Sequence, residues 1–374
     1  MPVVVLMLGA VVVVAQLYLT VPLLPGVADR YGVSLAAASW VGGGFGLAFA
    51  VGSLVFGTAS DRFDRRHVMV GGVVAGAVAC VVAGAAPSFE VLLVVRVVQG
   101  FAAAAFPSVA LAHVAEAVPV RRRAVAVTAV SSCFLVAGLV GQGFALLVDH
   151  GLGWHWVFWL MAPVLLVVAF AVSRLPATGR AVSGGSVVGA FRELLGRREL
   201  LVGYAGAVTL LLTFVGMYTA FNAEVAHRYG ITEAADLLLL RLPGLPGILL
   251  GAFAGPMITR FGAHRVAGLA FAAATAGLAA EATATSLWLL LLGSAVYVAG
   301  LAVTIPALIA IVGQAGGDHR GTALAGYGFL VGLGGGAGPV VVTTITGFAP
   351  VCLTLAAVTA VAGLVVATGP RVKV

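Results

Sequence analysis

The chain carries Val27-Ala28-Asp29-Arg30-Tyr31-Gly32-Val33-Ser34 and repeats it, 198 residues later, as Val225-Ala226-His227-Arg228-Tyr229-Gly230-Ile231-Thr232. At the same offset, Gly57-Thr58-Ala59-Ser60-Asp61-Arg62-Phe63 recurs as Gly255-Pro256-Met257-Ile258-Thr259-Arg260-Phe261. Both copies of each segment lie between long apolar stretches. Two related halves that run in the same direction through a membrane predict a pair of helical bundles with a ligand site between them.

The composition supports a membrane protein. Hydrophobic residues make up 61% of the 374 residues and charged residues only 9%, against roughly a quarter charged in soluble domains. The net charge of +7 does not indicate a nucleic-acid partner, because sixteen of the twenty Lys and Arg residues fall in alternate short loops. That distribution is the positive-inside pattern of cytoplasmic loops.

Several classes of function are excluded by the short polar inventory. Lys373 is the only lysine, so no P-loop exists and we expect no nucleotide. The glycines from Gly42 to Gly46 resemble a dinucleotide motif, but they lie inside an apolar stretch with no preceding strand. Cys80, Cys133 and Cys352 lie in apolar segments without a C-x-x-C spacing, so we interpret them as lipid-facing or packing residues without a disulfide or metal role. No cofactor and no metal are expected.

Counting about 20 apolar residues per span predicts twelve transmembrane helices in an all-α membrane protein with two six-helix bundles related by pseudo-two-fold symmetry. The first apolar run lacks a charged leader and is interpreted as a helix rather than a signal peptide. The predicted domains are a first bundle at 1–173, a cytoplasmic linker at 174–199 and a second bundle at 200–374. The predicted helices cover approximately 3–24, 35–57, 67–86, 90–113, 124–148, 155–173, 200–220, 235–258, 266–282, 286–312, 322–346 and 351–368. The arginine distribution predicts the plasma membrane with both termini in the cytoplasm.

Polar side chains concentrate in the first, fourth, seventh and tenth predicted helices, whereas every third helix is almost purely apolar. Since a polar group facing lipid is costly, the polar helices should face a water-filled interior. We expect the substrate to be handled there by aromatic, amide and basic side chains. The candidates are Gln16, Tyr18, Phe45, Tyr218, Asn222, Arg241, Tyr297 and Tyr327. Arg241 has a second interpretation, in which it reaches the headgroups from a helix end.

The loop after the second predicted helix contains Gly57, Asp61, Arg62, Arg65 and Arg66. Its pattern resembles the signature between helices two and three of the major facilitator superfamily, with Asp64 where that family has glycine. Asp64 either loosens the turn or adds a salt-bridge acceptor. The resemblance implies a gate, in which Asp61 favours the positive N-terminus of another helix. The alternative is that the loop only fixes topology at the anionic leaflet.

In the fourth predicted helix, Arg96-x-x-Gln99-Gly100 is similar to the second signature of the same superfamily. A guanidinium inside the membrane must find acceptors. Two interpretations stay open. Arg96 and Gln99 handle substrate or protons, or Arg96 bonds backbone carbonyls and fixes helix four against helix one. Glu90, two turns earlier, is the nearest candidate for proton coupling, although it is also interpreted as a solvated helix-end residue.

Small residues recur at a spacing of four in helices five and eleven. Gly141 follows Ala137, and Gly338-Pro339 follows Gly334. Such spacings, like Gly100 in helix four, let helix backbones approach closely. The helix-eleven copy resembles an antiporter signature that this superfamily carries in helix five, where the present chain has Gln142 instead of proline. The segment from Gln16 and Tyr18 to Pro22 and Pro25 resembles the start of drug- and sugar-efflux members.

These patterns predict a secondary active transporter that works by alternating access. No acidic residue occupies the middle of a predicted helix, so neutral or anionic amphiphiles, drugs or metabolites, are the expected substrates. The efflux resemblance implies export by proton antiport. A sugar or metabolite facilitator of the same fold, and a ligand-binding receptor without transport, are the alternatives. No enzyme is expected. The expected partners are a small-molecule substrate, protons and the bilayer, and the chain should be a monomer.

Overall fold

The computed structural model describes residues 2–60, 62–178 and 196–370, and the regular structure in these ranges is helical. Short 3₁₀ turns at Leu242–Gly244, Gly251–Phe253 and Gly317–His319 interrupt the α-helices. The α-helices are α1 (Pro2–Tyr18), α2 (Leu24–Tyr31), α3 (Leu35–Ala38), α4 (Trp40–Ser60), α5 (Arg65–Gly84), α6 (Phe89–Ala103), α7 (Pro107–Ala117), α8 (Val120–Leu152), α9 (Trp154–Ser173), α10 (Arg198–Tyr229), α11 (Ala234–Leu239), α12 (Leu245–Leu250), α13 (Ala254–Phe261), α14 (Ala263–Ala282), α15 (Leu287–Ala315), α16 (Arg320–Thr343) and α17 (Phe348–Thr368).

Ten helical stretches in the described ranges are long and apolar enough to cross a membrane. The all-helical membrane class expected from the sequence is therefore confirmed. α1 is apolar but shorter, and α16 is not among the ten. The count of twelve spans and the pseudo-two-fold symmetry remain predictions.

The chain divides into two compact units. The first comprises Met1–Pro119 and Cys133–Gly185, and the second comprises Val120–Ser132 and Ser186–Val374. The N-terminal part of α8 is thus grouped with the second unit, where the sequence placed the whole of helix five in the first bundle. The domain limits 1–173, 174–199 and 200–374 remain a prediction, and much of the linker lies outside the described residues.

In the first unit, two predicted spans are broken by proline. α1 ends at Tyr18 rather than near residue 24, and α2 begins beside Pro25. The predicted fourth span is divided into α6 and α7, and α7 begins at Pro107. Proline lacks the N–H that continues a helix but suits its first turn. The chain therefore restarts a helix at each of these positions.

In the second unit, the predicted span at 235–258 consists of several short helices. α11, α12 and α13 are joined by two 3₁₀ turns, and Pro243 and Pro246 lie at the starts of a 3₁₀ turn and of α12. α10, by contrast, continues to Tyr229, nine residues beyond the predicted end. α10 therefore includes Tyr218 and Asn222 within one continuous helix.

The repeated segments have the same local geometry in the two units. α2 and α10 both end in a left-handed glycine, Gly32 at φ 64° and Gly230 at φ 67°. At each of these helix ends a side chain also donates a hydrogen bond to a backbone carbonyl, and the two carbonyls lie 198 residues apart in the sequence, at equivalent positions of the repeat. Tyr31 Oη lies 2.8 Å from the oxygen of Ala86, and Arg228 Nη1 lies 3.0 Å from that of Ala284. The sequence repeat therefore encodes a repeated helix end.

Candidate functional site

The polar centre of the first unit is built on Arg96 of α6, whose side chain is fully buried. Its guanidinium donates three hydrogen bonds, one from each nitrogen. Nε reaches the oxygen of Val41 at 3.2 Å, Nη2 the oxygen of Gln16 at 3.0 Å and Nη1 the Oε1 of Gln99 at 2.7 Å. Arg96 thereby connects α6 to α1 and α4, since Gln16 lies on α1 and Val41 on α4.

Gln99, Gln16 and Cys80 extend this centre. The amide nitrogen of Gln99 donates to Gln16 Oε1 at 2.8 Å and to the Sγ of Cys80 at 2.9 Å. Both glutamines are buried, with exposed fractions of 1% or less. Cys80 is therefore part of a polar network, which corrects the sequence interpretation of a packing residue alone.

Aromatic rings cover the guanidinium. Its carbon lies 4.3 Å from the ring centroid of Phe45 and 5.7 Å from that of Phe158, within cation–π range. Gly100 makes this arrangement possible, because its missing side chain leaves room for the backbone of Phe45. Across the described ranges, no carboxylate pairs with Arg96. These contacts fit the interpretation in which Arg96 bonds backbone carbonyls and fixes its helix against helix one. A role of Arg96 in substrate or proton handling remains a prediction.

A second polar cluster lies in the second unit. Tyr297 of α15 donates its hydroxyl to Oγ1 of Thr213 at 2.8 Å, and both side chains are buried. Arg241 lies over the ring of Tyr218, 4.6 Å from the centroid. The Oδ1 atom of Asn222 is buried, and no hydrogen-bond partner for it is found in the described part of the chain. Four of the predicted candidates thus belong to one unit, although the structure does not test their role.

The remaining candidates have other surroundings. Tyr18 packs beside Ala15 and Ala137 in the first unit, and Tyr327 is buried in α16. Glu90 is exposed in the first turn of α6 and accepts a hydrogen bond from Ser88. This position fits the interpretation of Glu90 as a solvated helix-end carboxylate.

The loop predicted to act as a gate is held mainly by its arginines. Arg65 forms an ion pair with Glu116 and donates from Nη1 to the oxygen of Ala112 at 3.2 Å. Arg66 donates to the oxygen of Leu175 at 3.3 Å. Gly57 is buried and Arg62 is exposed, whereas Asp61 lies outside the described residues. The contribution of Asp61 to a gate therefore remains a prediction.

Asp64 stands where the family signature has glycine. It acts as a hydrogen-bond and salt-bridge acceptor, which is one of the two alternatives that the sequence left open. Its carboxylate accepts from the backbone N–H of Arg66 at 2.9 Å and lies 3.5 Å from Nη2 of the same residue. Its φ is −55°, whereas the repeat-related Gly262 has φ 84°. Because a residue with a Cβ avoids positive φ, the two copies of the turn differ in conformation.

Glycines bring helices close together in both units. A Cβ on Gly141 would lie 2.8 Å from the oxygen of Ala15, and one on Gly338 would lie 2.7 Å from the oxygen of Leu212. Gly334 is packed still more tightly against Val208. These contacts join α8 to α1 and α16 to α10. Pro339 lies within α16, and its side chain is outside the described set.

Sequence reasoning missed the burial of Glu281. It lies next to the last residue of α14, and only 1% of it is exposed. The signal was present in the repeat, since the position 198 residues earlier is Ala83, which is also buried. A carboxyl group therefore occupies what is a core position in the other copy.

The described chain is thus a polytopic helical membrane protein with a buried polar cluster in each unit. It belongs to the Major Facilitator Superfamily, whose family profile matches residues 6–225. The resemblance predicted from the loop and helix-four motifs is therefore confirmed, and the family is one of transporters rather than enzymes.

Two of the similar proteins are resistance proteins. A chloramphenicol resistance protein of Streptomyces lividans is 30% identical over 237 residues, which cover 62% of this chain and 59% of that protein. The puromycin resistance protein pur8 of Streptomyces alboniger is 31% identical over 238 residues, covering 62% of this chain and 42% of that protein. The match thus spans less than two thirds of either relative.

A solved structure has the same fold over nearly the whole chain. The human organic anion transporter MFSD10 (TETRAN) superposes with a TM-score of 0.79 at 19% identity, covering 97% of this chain and 98% of that one. At this identity the likeness concerns the fold.

Proposed function

We propose that this protein is a secondary active transporter that exports small neutral or anionic amphiphilic compounds, drugs or metabolites, in exchange for protons. Membership of the transporter family supports the general activity, and two relatives named for chloramphenicol and puromycin resistance support export. The positive-inside pattern supports a location in the plasma membrane with both termini in the cytoplasm. We propose that the protein acts as a monomer.

The observation that carries the substrate class is the buried guanidinium of Arg96. It is fully buried, is covered by the ring of Phe45, and has no carboxylate partner among the described residues. A fixed cation in a low-dielectric interior attracts anions and repels cations strongly, because water screens little of its field. Arg241, over the ring of Tyr218, adds a second cation beside an aromatic surface. Aromatic and cationic groups together suit amphiphiles that are neutral or negatively charged.

Alternating access is supported by the arginine contacts at the loop between α4 and α5. Arg65 and Arg66 connect that loop to Ala112 and Leu175 of the first unit by hydrogen bonds. A loop fastened this firmly moves with its unit as one body. Movement of whole bundles rather than of single loops is how two-bundle transporters expose a site alternately.

The test uses purified protein in proteoliposomes that contain an internal pH dye. A matched panel of anionic, neutral and cationic amphiphiles is added, and substrate-driven proton movement is recorded. We expect proton movement with anionic and neutral compounds and its loss in Arg96→Ala. Arg174→Ala is the control, because it removes the same charge from an exposed position at the end of α9.

Two results would contradict this proposal. Efficient proton-linked export of a quaternary ammonium dye would show that the protein accepts cations as substrates. Equal losses in Arg96→Ala and Arg174→Ala would show that the effect is not specific to the buried guanidinium.

An uncoupled facilitator for sugars or metabolites is the second candidate. It is favoured by the exposure of Glu90, since a fully solvated carboxylate at a helix end is poorly placed to link proton binding to substrate movement. Substrate flux without proton movement in the same proteoliposomes would identify it.

A further inference from the structure

Glu281 is a carboxyl group buried among the helices of the second unit. It lies on α14, and its Cγ would be 2.9 Å from a Cβ added to Gly293 of α15. The missing side chain of Gly293 therefore provides the space in which the Glu281 side chain lies. α14 and α15 approach closely at the preceding turn as well, where Gly277 packs on the backbone of Tyr297.

The polar contacts of this carboxyl group are few. The thiol of Cys352, on α17, donates to Oε2 at a sulfur–oxygen distance of 3.8 Å. Oε1 is buried, and no hydrogen-bond partner for it is found among the residues that the structure describes. Such a carboxyl keeps a free position for a proton.

The groups that face Glu281 supply no cation in direct contact. Tyr297 on α15 and Tyr218 on α10 lie within electrostatic range of it. Glu224, also on α10, lies within electrostatic range of Cys352. It forms an ion pair with Arg228, with 3.6 Å between Oε1 and Nη1. Arg241 lies over the ring of Tyr218, and no ion pair between it and Glu281 is found among the described residues. Burial without a paired cation strongly disfavours the ionised carboxylate, so the neutral acid is the form that fits this conformation.

We propose that Glu281 is the proton-binding residue of the transport cycle. This inference rests on the proposed proton antiport and assigns it to a side chain. When the surroundings of Glu281 open to water, the carboxyl O–H bond breaks, the proton passes to a water molecule, and a carboxylate remains. Protonation from the opposite side of the membrane restores the neutral acid before the group is buried again.

Two other acids, Glu90 and Glu116, are less suited to this role. Glu90 is exposed, and Glu116 forms an ion pair with Arg65. Because the position equivalent to Glu281 in the first copy is Ala83, the proton site belongs to one unit only. In this proposal Arg96 of the first unit is the fixed cation that attracts substrate, and Glu281 of the second unit is the acid that binds and releases the proton.

The first experiment measures protonation without transport. Infrared difference spectra of the purified chain in lipid nanodiscs are recorded as the pH is raised, and the carboxylic-acid carbonyl band is followed. We expect a band at neutral pH that is lost in Glu281→Gln and kept in Glu90→Gln. Cys352→Ala leaves the carboxyl in place but removes its thiol donor, so it should shift the same band. An unchanged spectrum in both Glu281→Gln and Cys352→Ala would overturn the assignment.

The second experiment measures coupling in proteoliposomes. Glu281→Gln should keep substrate exchange between equal solutions and lose substrate-driven proton movement, whereas Glu90→Gln should keep both. Proton movement at the wild-type rate in Glu281→Gln would overturn the proposal. If the wild-type protein moves substrate without protons, the antiport and the carrier role fail together. The infrared band then shows independently whether Glu281 is a protonated acid.

Discussion

Gly100 offers a quantitative test of how closely α4 and α6 approach beside Arg96. A Cβ built on Gly100 would lie 2.8 Å from both the Cα and the carbonyl carbon of Phe45, and closer still to its oxygen. These are backbone atoms, so no side-chain rotation relieves the overlap in Gly100→Ala. One of the two helices must shift, and with it the ring that covers the guanidinium.

The expected magnitude follows from a comparison with Gly71→Ala. Gly71 lies in α5, also within the first unit, and nothing lies within 4 Å of its added Cβ. Both substitutions gain helix propensity, at most about 1 kcal/mol. Their difference is therefore the cost of overpacking, about 1–3 kcal/mol. For a unit of this size that corresponds to a melting temperature lower by about 2–12 °C.

The assay is thermal unfolding in detergent with a dye that fluoresces on reaction with thiols. Cys80, Cys133 and Cys352 are buried thiols that form no disulfide, so they react only as the protein unfolds. Gly71→Ala should melt at or slightly above the wild-type temperature, and Gly100→Ala well below it. Equal melting temperatures for the two variants would refute the close approach of α4 to α6.

Three further substitutions have defined outcomes. Arg96→Lys replaces a planar fork with an ammonium whose three donors share one nitrogen, so it cannot reach all three acceptors that the separate guanidinium nitrogens contact. We expect a loss of about 1–3 kcal/mol in the same thermal assay, and an equal loss in the exposed control Arg174→Lys would argue against it. Tyr297→Phe removes the hydroxyl that bonds Thr213 and should cost about 0.5–1.5 kcal/mol, so a variant as stable as wild type would mean that this bond contributes nothing. Gly262→Ala places a side chain at φ 84° and should lower stability by about 1–3 kcal/mol, which a melting temperature unchanged from wild type would exclude.

The class of fold could be predicted because membrane helices are selected by apolar length. Several helix ends could not, since they lie where proline interrupts an apolar run. Pro107 and Pro246 have little effect on hydropathy, yet each begins a new helix. Proline acts through a missing N–H, which a composition window does not detect.

The sequence indicated which kind of acceptor Arg96 needs, whereas the roles of the candidate site residues remain predictions. A buried Arg96 had to bond carbonyls, and the sequence offered helix one as their source, which the oxygen of Gln16 provides. The polar contacts of Cys80 and the burial of Glu281 could not be predicted, because both depend on which helices meet. The repeat gave one usable signal, the core alanine at position 83, because related halves share their core positions.

The hydrogen bonds of Arg96 have a consequence for binding strength. Each nitrogen of its guanidinium already has an acceptor inside the protein, at 2.7–3.2 Å. An anionic ligand that used Arg96 would compete with these internal acceptors. Its observed affinity would be its intrinsic affinity multiplied by the small fraction of molecules in which the internal hydrogen bonds are broken. Such built-in competition favours rapid release. A carrier that must load and unload in every cycle gains more from fast dissociation than from tight binding.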